Sequence, residues 1–431
     1  MTVVFQMRLI YTLFFYLALP LVFLRLLWRA RSAPAYGERW AERFGFFPKR
    51  ADRSKAIWVH AVSVGETLAA LPMIRELQQR YPDHQLVVTT MTPTGSERVK
   101  AALGDSVFHV YAPYDLPDAV GRFLERVQPQ LAVIMETELW PNILRGCCKR
   151  NIPVLIANAR LSEKSAKGYK RFDKLSRELM SYISRIAVQN QQDAERLAWI
   201  GAAPDQLQVT GSIKFDIDVT AADREKAGRY RQRWQGESER PVLLAASTHE
   251  GEDELLLQAH QLMIQKRPDL LLVLVPRHPE RFDRVADLAA QSFAVQRHSA
   301  ADAVKPETQV LIGDTMGEMM ALLGVCDICF MGGSWVESGG HNLIEPAVWG
   351  KPQFSGPSLF NFAEVSGLLL QGGGLQIVET PQALADGALG LLDNPDRARQ
   401  MGEAASQVAA QNKGALQRLL VMIDELITRQ L

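Results

Sequence analysis

The residues best suited to chemistry stand in short runs that combine carboxylates, a few bases and glycine. Ser63-Val-Gly-Glu66 places an acid at the start of a helical pattern, directly after an apolar run. A carboxylate in that position is able to take a proton from an acceptor hydroxyl. The helix dipole favours its charged form, so Glu66 is expected to be ionised and ready. The same spacing is also a capping box, as in Thr94-x-x-Glu97, Thr315-x-x-Glu318 and Ser334-x-x-Glu337. Met135-Glu-Thr-Glu-Leu-Trp-Pro141 sets Glu136 and Glu138 two apart at the end of a hydrophobic run. If the strand continues there, both acids share one face, and unpaired buried carboxylates cost too much to serve packing. Lys214, in Gly211-Ser-Ile-Lys214, is a cation able to meet charge developing on a leaving phosphate or an acidic sugar. Arg277 ends Val273-Leu-Val-Pro-Arg277 and suits bidentate phosphate binding, whereas the proline-flanked His278 reads as structural.

The longest such run is Met331-Gly-Gly-Ser-Trp-Val-Glu-Ser-Gly-Gly-His-Asn-Leu-Ile-Glu-Pro-Ala347. Its four glycines follow an apolar strand pattern, and a helix is expected to open near His341 or Asn342. Strand, glycine turn and helix N-terminus together form an anion cradle of outward-pointing N–H groups. Asn342 and Glu345 fall in the first turn, within reach of a phosphate and a sugar hydroxyl, although their spacing also fits a capping box. Gly313-Asp-Thr-Met-Gly-Glu318-Met319 is a second strand-turn-helix junction. There Glu318 either caps with Thr315, or the backbone of Gly317 to Met319 meets a nucleobase.

Other motifs point away from competing chemistries. Cys326-Asp-Ile-Cys329 has metal-ligand spacing but lies in an apolar run with no second Cys/His pair nearby, so buried hydrophobes are expected. Asp216-Ile-Asp218 resembles a metal-binding acid pair, yet it falls in a linker and reads as a solvated turn; no metal site is expected. No P-loop lysine motif occurs, and no G-x-G-x-x-G follows the first strand. A formal net charge of zero argues against a general nucleic-acid binder.

These residues need elements to hold them, and the pattern supplies strands alternating with helices. Strands are expected at 57–60, 85–90, 107–111, 131–135, 153–157, 185–189 and 208–210, then at 242–246, 270–275, 309–312, 328–331, 353–355 and 375–378. Such alternation means βαβ units, parallel sheets and right-handed crossovers. The reading is an α/β chain: a membrane anchor over 1–30, a Rossmann-like acceptor domain over 31–211, a linker with one exposed helix over 212–240, and a second Rossmann-like domain over 241–431 whose final helix packs back. Ligands are expected at the carboxyl ends of the strands, in a crevice between the two domains. Residues 9–24 are continuously apolar apart from Thr12 and Pro20. Arg29, Arg31, Arg39, Arg43, Lys49, Arg50, Arg53 and Lys55 follow, so the body of the protein is expected on the cytoplasmic side of its anchor. Pro20 and Arg25 leave open whether the segment spans the bilayer or lies in its interface.

Taken together, several of these runs are familiar. Trp-Val-His-Ala-Val-Ser-Val-Gly-Glu66, Thr-Met-Thr-Pro-Thr-Gly95, Met-Glu-Thr-Glu-Leu-Trp-Pro141, Ala-Asn-Ala-Arg160, Gly-Ser-Ile-Lys-Phe215, Val-Pro-Arg-His-Pro-Glu-Arg-Phe282, Gly-Asp-Thr-Met-Gly-Glu318 and Gly-Gly-His-Asn-Leu-Ile-Glu-Pro346 stand in order. The chain thereby resembles the 3-deoxy-D-manno-octulosonic acid (Kdo) transferases, glycosyltransferases of lipid A. The resemblance implies a GT-B fold, CMP-Kdo as donor, a lipid A precursor (lipid IVA) as acceptor, inversion at the anomeric carbon and the inner membrane as location. It implies Glu66 as general base, with Glu136 and Lys214 stabilising the transition state. Pro276 and Arg277, Gly317, Glu318 and Met319, and Asn342, Leu343, Ile344 and Glu345 would bind CMP, with no obligatory metal. A GT-B sugar-nucleotide epimerase and a non-catalytic, membrane-tethered nucleotide-binding protein remain the rival readings.

Overall fold

A computed structural model describes residues 2–49, 55–235 and 240–429. Arg50 and Arg53 of the basic stretch, and 236–239 of the expected linker, lie outside the described residues. The chain forms two compact units, Met1–Asp216 with Lys413–Leu431, and Ile217–Asn412.

The first unit carries a parallel sheet of β1 (Lys55–His60), β2 (His84–Thr90), β3 (Phe108–Tyr111), β4 (Pro129–Met135), β5 (Val154–Ala159), β6 (Arg185–Val188) and β7 (Leu207–Val209), in the order β3-β2-β1-β4-β5-β6-β7. Helix α1 (Thr2–Ala30) precedes it. The crossovers are α2 (Val64–Arg80), α3 (Pro93–Leu103), α4 (Pro117–Val127), α5 (Pro141–Cys148), α6 (Glu163–Lys170), α7 (Asp173–Ser181) and α8 (Gln191–Trp199). Both faces of the sheet are covered, as the unbroken apolar strand sequences require. Along β1, Trp58 points into one core with Phe123 and Ile134, while Ile57 and Val59 point into the other.

The second unit begins with α9 (Ala221–Gln235). Its sheet contains β8 (Val242–Thr248), β9 (Leu271–Pro276), β10 (Val295–Arg297), β11 (Val310–Ile312), β12 (Ile328–Met331), β13 (Gln353–Ser355) and β14 (Leu375–Ile377), ordered β10-β11-β9-β8-β12-β13-β14. Its other helices are α10 (Glu252–Ile264), α11 (Phe282–Ala290), α12 (Met319–Val325), α13 (Ile344–Val348), α14 (Ala363–Gln371), α15 (Pro381–Leu392) and α16 (Pro395–Gln411); α17 (Ala415–Thr428) returns to the first unit. Sequence pattern missed the edge strand β10, whose three half-buried residues are too few to show alternation.

The boundary between the units, Asp216/Ile217, falls within the stretch expected as linker, and its largely exposed helix is anchored by a buried stripe. Ile213 and Phe215 are buried within the first unit, and α9 packs against α12 with Trp234 and Ala227 buried. Arginines and acids on its outer face hid that inner stripe. The helical pattern over 397–429 is broken at Gly414, whose φ of 85° ends the run before α17. Asp216 caps the new helix, accepting from Gly414 N at 2.7 Å and Leu416 N at 2.7 Å. α17 then buries Leu419, Met422 and Ile423 beneath the first sheet.

α1 docks lengthwise on its own unit. Arg8 pairs with Glu178 at 3.3 Å, Asn142 donates to Thr12 at 3.3 Å, and Phe15, Leu19 and Val22 pack against Tyr114 and Leu116. The opposite face leaves Leu9, Leu13, Phe14, Leu17, Leu21 and Leu24 exposed. Among the described helices, Gln6–Ala30 is the one long and apolar enough to cross a membrane.

Candidate active site

Each sheet has a point where strand order reverses, with consecutive crossovers leaving to opposite sides. Loops part there and open a crevice at the carboxyl ends. In the first unit this is β1 beside β4. Glu66 follows the one and Glu136 the other.

Glu66 occupies the third position of α2, and the capping box is real. Glu66 N donates to Ser63 Oγ at 3.2 Å, while its carboxylate accepts from Ser63 N at 3.3 Å and Val62 N at 2.7 Å. The side chain is only 6% exposed. Burial raises its pKa to about 7; the Val62 and Ser63 bonds oppose the rise and the charges of Glu136 and Glu138 add to it. The helix terminus therefore does not keep Glu66 comfortably ionised, as position alone suggested, because desolvation outweighs the dipole. A carboxylate poised near neutrality suits proton transfer better than one ionised far below it.

Glu136 does not continue the strand. β4 ends at Met135, and Glu136 turns to a φ of 54°, rare for a residue with a Cβ. The pleat thus does not set Glu136 and Glu138 on one face, although both acids act on Glu66. Glu136 N donates to Ala157 O at 2.8 Å, and Arg160 holds the carboxylate through Nε at 3.1 Å and Nη2 at 3.0 Å. Neither acid is spent on the following helix: the buried Asp115 accepts from Asn142 N at 3.0 Å and Ile143 N at 2.8 Å at the start of α5. Glu138 instead accepts from Trp140 Nε1 at 2.6 Å.

Lys214 is half-buried on a single turn, Ile213–Phe215, fixed by its two buried neighbours. Asn158, itself left-handed with a φ of 58°, accepts from Ile213 N at 3.2 Å through Oδ1. Asn158 thus ties the Lys214 turn to β5, the strand next to the one that delivers Glu136. Its role was not read from the sequence; the signal was a polar residue amid the apolar strand ending in Ala-Asn-Ala-Arg160.

In the second unit β8 lies between β9 and β12. Pro276 ends β9 and Arg277 N donates to Thr248 O at 3.0 Å, which ties the Arg277 backbone to the end of β8. The glycine loop after β12 departs from expectation. Its cradle of N–H groups exists but is already filled: Glu252, fully buried on α10, accepts from Gly333 N at 2.7 Å, Ser334 N at 2.9 Å and Trp335 N at 2.9 Å. His249 N donates to the same carboxylate at 2.9 Å. The anion that the loop was built for is an internal side chain. The helix also starts later than expected, spanning Ile344–Val348 with Leu343 as its N-cap. Gly339 and Gly340, at φ of 85° and 77°, are required there, because a Cβ would run into Phe360 at one and Leu359 at the other.

The polar groups past that cradle are Asn342, Glu345, Arg277 and three histidines. Asn342 donates to Glu345 Oε1 at 3.2 Å and accepts from Ile344 N at 3.1 Å. Burial raises the Glu345 pKa, against the Asn342 bond and the Arg277 charge. His249 and His341 stack with their Nε2 atoms 2.8 Å apart, and His278 meets His249 edge-on at 5.7 Å between ring centroids. Burial, then the neighbouring bases, holds His341 down to about 4, so the pair is uncharged at neutral pH. Sequence reasoning overlooked this pair. Only its placement at two strand ends pointed to it.

Glu318 turns towards α9 rather than serving as a simple cap. Lys226 pairs with it, Tyr230 donates to it at 2.9 Å and His298 Nε2 lies 3.4 Å away. Burial alone would raise its pKa, but the Lys226, Thr315 and Tyr230 bonds prevail and take it to about 2. Gly317 beside it is exposed with a φ of 77°, and Met319 is half-buried. Cys326 and Cys329 are buried within the sheet layer, and burial raises the Cys326 thiol to about 12.

Comparison with known proteins gives a consistent picture. The family model described as 3-Deoxy-D-manno-octulosonic-acid transferase (kdotransferase) matches residues 38–217, and that of glycosyl transferases group 1 matches 240–408. The 3-deoxy-D-manno-octulosonic acid transferase of Haemophilus influenzae is 43% identical over 98% of this chain and 99% of its own. The enzyme of the same name from Bordetella pertussis is 36% identical over 96% and 98%. The solved UDP-GlcNAc 2-epimerase of Neisseria meningitidis covers 86% of this chain and 100% of its own, with a TM-score of 0.58 at 15% identity, a likeness of fold alone.

Proposed function

The chain belongs to the 3-deoxy-D-manno-octulosonic acid transferase family, and from that premise we propose that it transfers Kdo from CMP-Kdo to a lipid A precursor (lipid IVA), inverting the anomeric carbon. It is a glycosyltransferase of lipopolysaccharide biosynthesis; donor, acceptor and stereochemistry are our reading. The observation that carries this reading is the buried Glu66 carboxylate at the strand-order reversal, where Glu136 ends the neighbouring strand.

In the mechanism Glu66 removes the proton of the acceptor hydroxyl as that oxygen attacks the anomeric carbon. The bond from that carbon to the phosphate oxygen breaks, and CMP departs with the electron pair. Glu136, fixed by Arg160, places negative charge where a sugar ring gains positive charge, and Lys214 meets the negative charge growing on the leaving phosphate. Pro276 and Arg277, Gly317 to Met319 and Asn342 to Glu345 hold the CMP. Arg277 supplies the charge-assisted bonds to its phosphate. Because lysine and arginine meet that charge, no obligatory metal is expected.

We place the protein on the cytoplasmic face of the inner membrane. α1 would lie in the interface rather than span it, since its inner face carries Arg8, Thr12 and packed aromatics while its outer face is apolar. The basic residues after α1 suit an anionic lipid surface. Replacing Glu66 by alanine should abolish transfer while the melting curve stays cooperative; transfer at wild-type rate would refute the base assignment.

A further inference from the structure

A cavity of about 530 Å³ lies within the first unit, between α1, the loop after β4 and the pair α6–α7. Tyr11 and Phe15 wall it from α1, Trp140 from the loop, and Tyr169, Leu175 and Leu179 from the helix pair. Its volume falls in the range of sites for small organic ligands. Thr137 and Glu138 border it from the loop, and Ser165 and Ser176 from the helix pair. Thr137 and Glu138 follow Glu136 directly on the loop that leaves the carboxyl end of β4, beside β1, the strand that precedes Glu66.

The wall formed by α1 has a second property. The helix that gives Tyr11 and Phe15 to the cavity exposes Leu13 at 58% and Leu17 at 70% on another face. A ligand here meets the Glu138 carboxylate at one side, aromatic and aliphatic walls inside, and an apolar, exposed helix as its boundary. That is the environment of an amphiphile with its polar group towards Glu138 and one chain in the cavity. Phe172, 58% exposed at the rim, extends the apolar surface outward.

We propose that this cavity is a hydrocarbon site that takes one acyl chain of the acylated acceptor and so registers its sugar hydroxyl against Glu66. The proposal rests on the lipid-acceptor reading above and specifies how that acceptor is held. The cavity makes acylation a determinant of acceptor choice.

Gly168 gives a clean test. It lines the cavity within α6, and a Cβ built there meets nothing within 4 Å. Gly168 is exposed at the edge of the cavity, so Gly168→Leu sets a large side chain at its mouth without a clash, and Gly168→Ala is the milder companion. Full-length protein in phosphatidylcholine vesicles is irradiated with a lipid A precursor bearing a diazirine at one acyl end, and labelled peptides are mapped by mass spectrometry. Label on the α6–α7 peptide is expected, lost in Gly168→Leu and largely kept in Gly168→Ala, with melting curves verifying the fold. In parallel, the ratio of kcat/KM for acylated over fully deacylated acceptor should fall about tenfold in Gly168→Leu, the worth of roughly two buried methylenes. An unchanged ratio, absent α6–α7 label, or equal labelling by a diazirine phosphatidylcholine would overturn the proposal. If the wild type transfers Kdo to neither acceptor, the parent reading fails, while the labelling result still judges the cavity.

Discussion

Glu66 has a folded pKa near 7 because burial raises it from the usual 4.5, with the neighbouring acids adding to the rise. As a base it works only when ionised, so kcat/KM, which reports the free enzyme, should fall on the acid side with a midpoint near pH 7. At pH 6 about a tenth of the molecules would hold the active form, and at pH 8 about nine tenths. Glu136→Gln removes one of the charges that raise the pKa, so the remaining acid limb must move to lower pH, by several tenths of a unit. The fold responds in the opposite sense. A folded pKa above the unfolded one means that the neutral carboxyl is preferred; this stability is fully present below about pH 4.5 and is lost as pH rises through 7. About 2.5 pH units correspond to roughly 3 kcal/mol. Glu66→Gln gives part of that back through a lost backbone hydrogen bond, about 1 kcal/mol. The variant should therefore be inactive yet melt no lower than wild type at pH 8, and lose this advantage at pH 5. Initial rates from pH 5.5 to 8.5 and melting at the two pH values check both arms. A limb near 4.5, or one that moves up in Glu136→Gln, would refute the electrostatic reasoning.

Arg277→Ala should weaken CMP binding by about tenfold or more, as loss of a charge-assisted phosphate bond implies, and leave acceptor KM little changed; titration calorimetry and initial rates separate the two. Glu252→Ala strands three loop N–H groups in the interior and should destabilise the second unit by about 3–5 kcal/mol, the cost of breaking a buried charged network, with CMP affinity falling in step; a melting curve unchanged from wild type would contradict the internal-anion reading. Trp234→Ala should cost about 3–5 kcal/mol, because the ring is fully buried; a loss under 1 kcal/mol would return α9 to the status of an exposed linker helix.

The α/β architecture was legible because its strands are apolar on both faces and separated by helical spacing, and because ligand loops sit at carboxyl ends whatever the sequence. Glu66 and Glu136 stood out by type at those ends. Their electrostatics did not, since desolvation depends on what packs around the carboxylate and no local pattern records that. The glycine loop shows the same limit from the other side. Its residues specify an anion cradle correctly, but the occupant, Glu252, lies some eighty residues earlier and only the folded chain brings it in. α9 reads as exposed because seven of its fifteen residues are charged, and the narrow stripe of Ala227 and Trp234 that anchors it is easily outweighed. The cavity beside α1 was invisible for a related reason: Tyr11, Trp140 and Tyr169 belong to three separate segments with no shared period.

Weighing the product tests Kdo transfer most directly. Purified full-length protein in vesicles, given CMP-Kdo and lipid IVA, should yield acceptor heavier by one or more Kdo units with release of CMP, and Glu66→Ala should yield none. An acceptor of unchanged mass, or donor converted without any acceptor gain, would contradict the account.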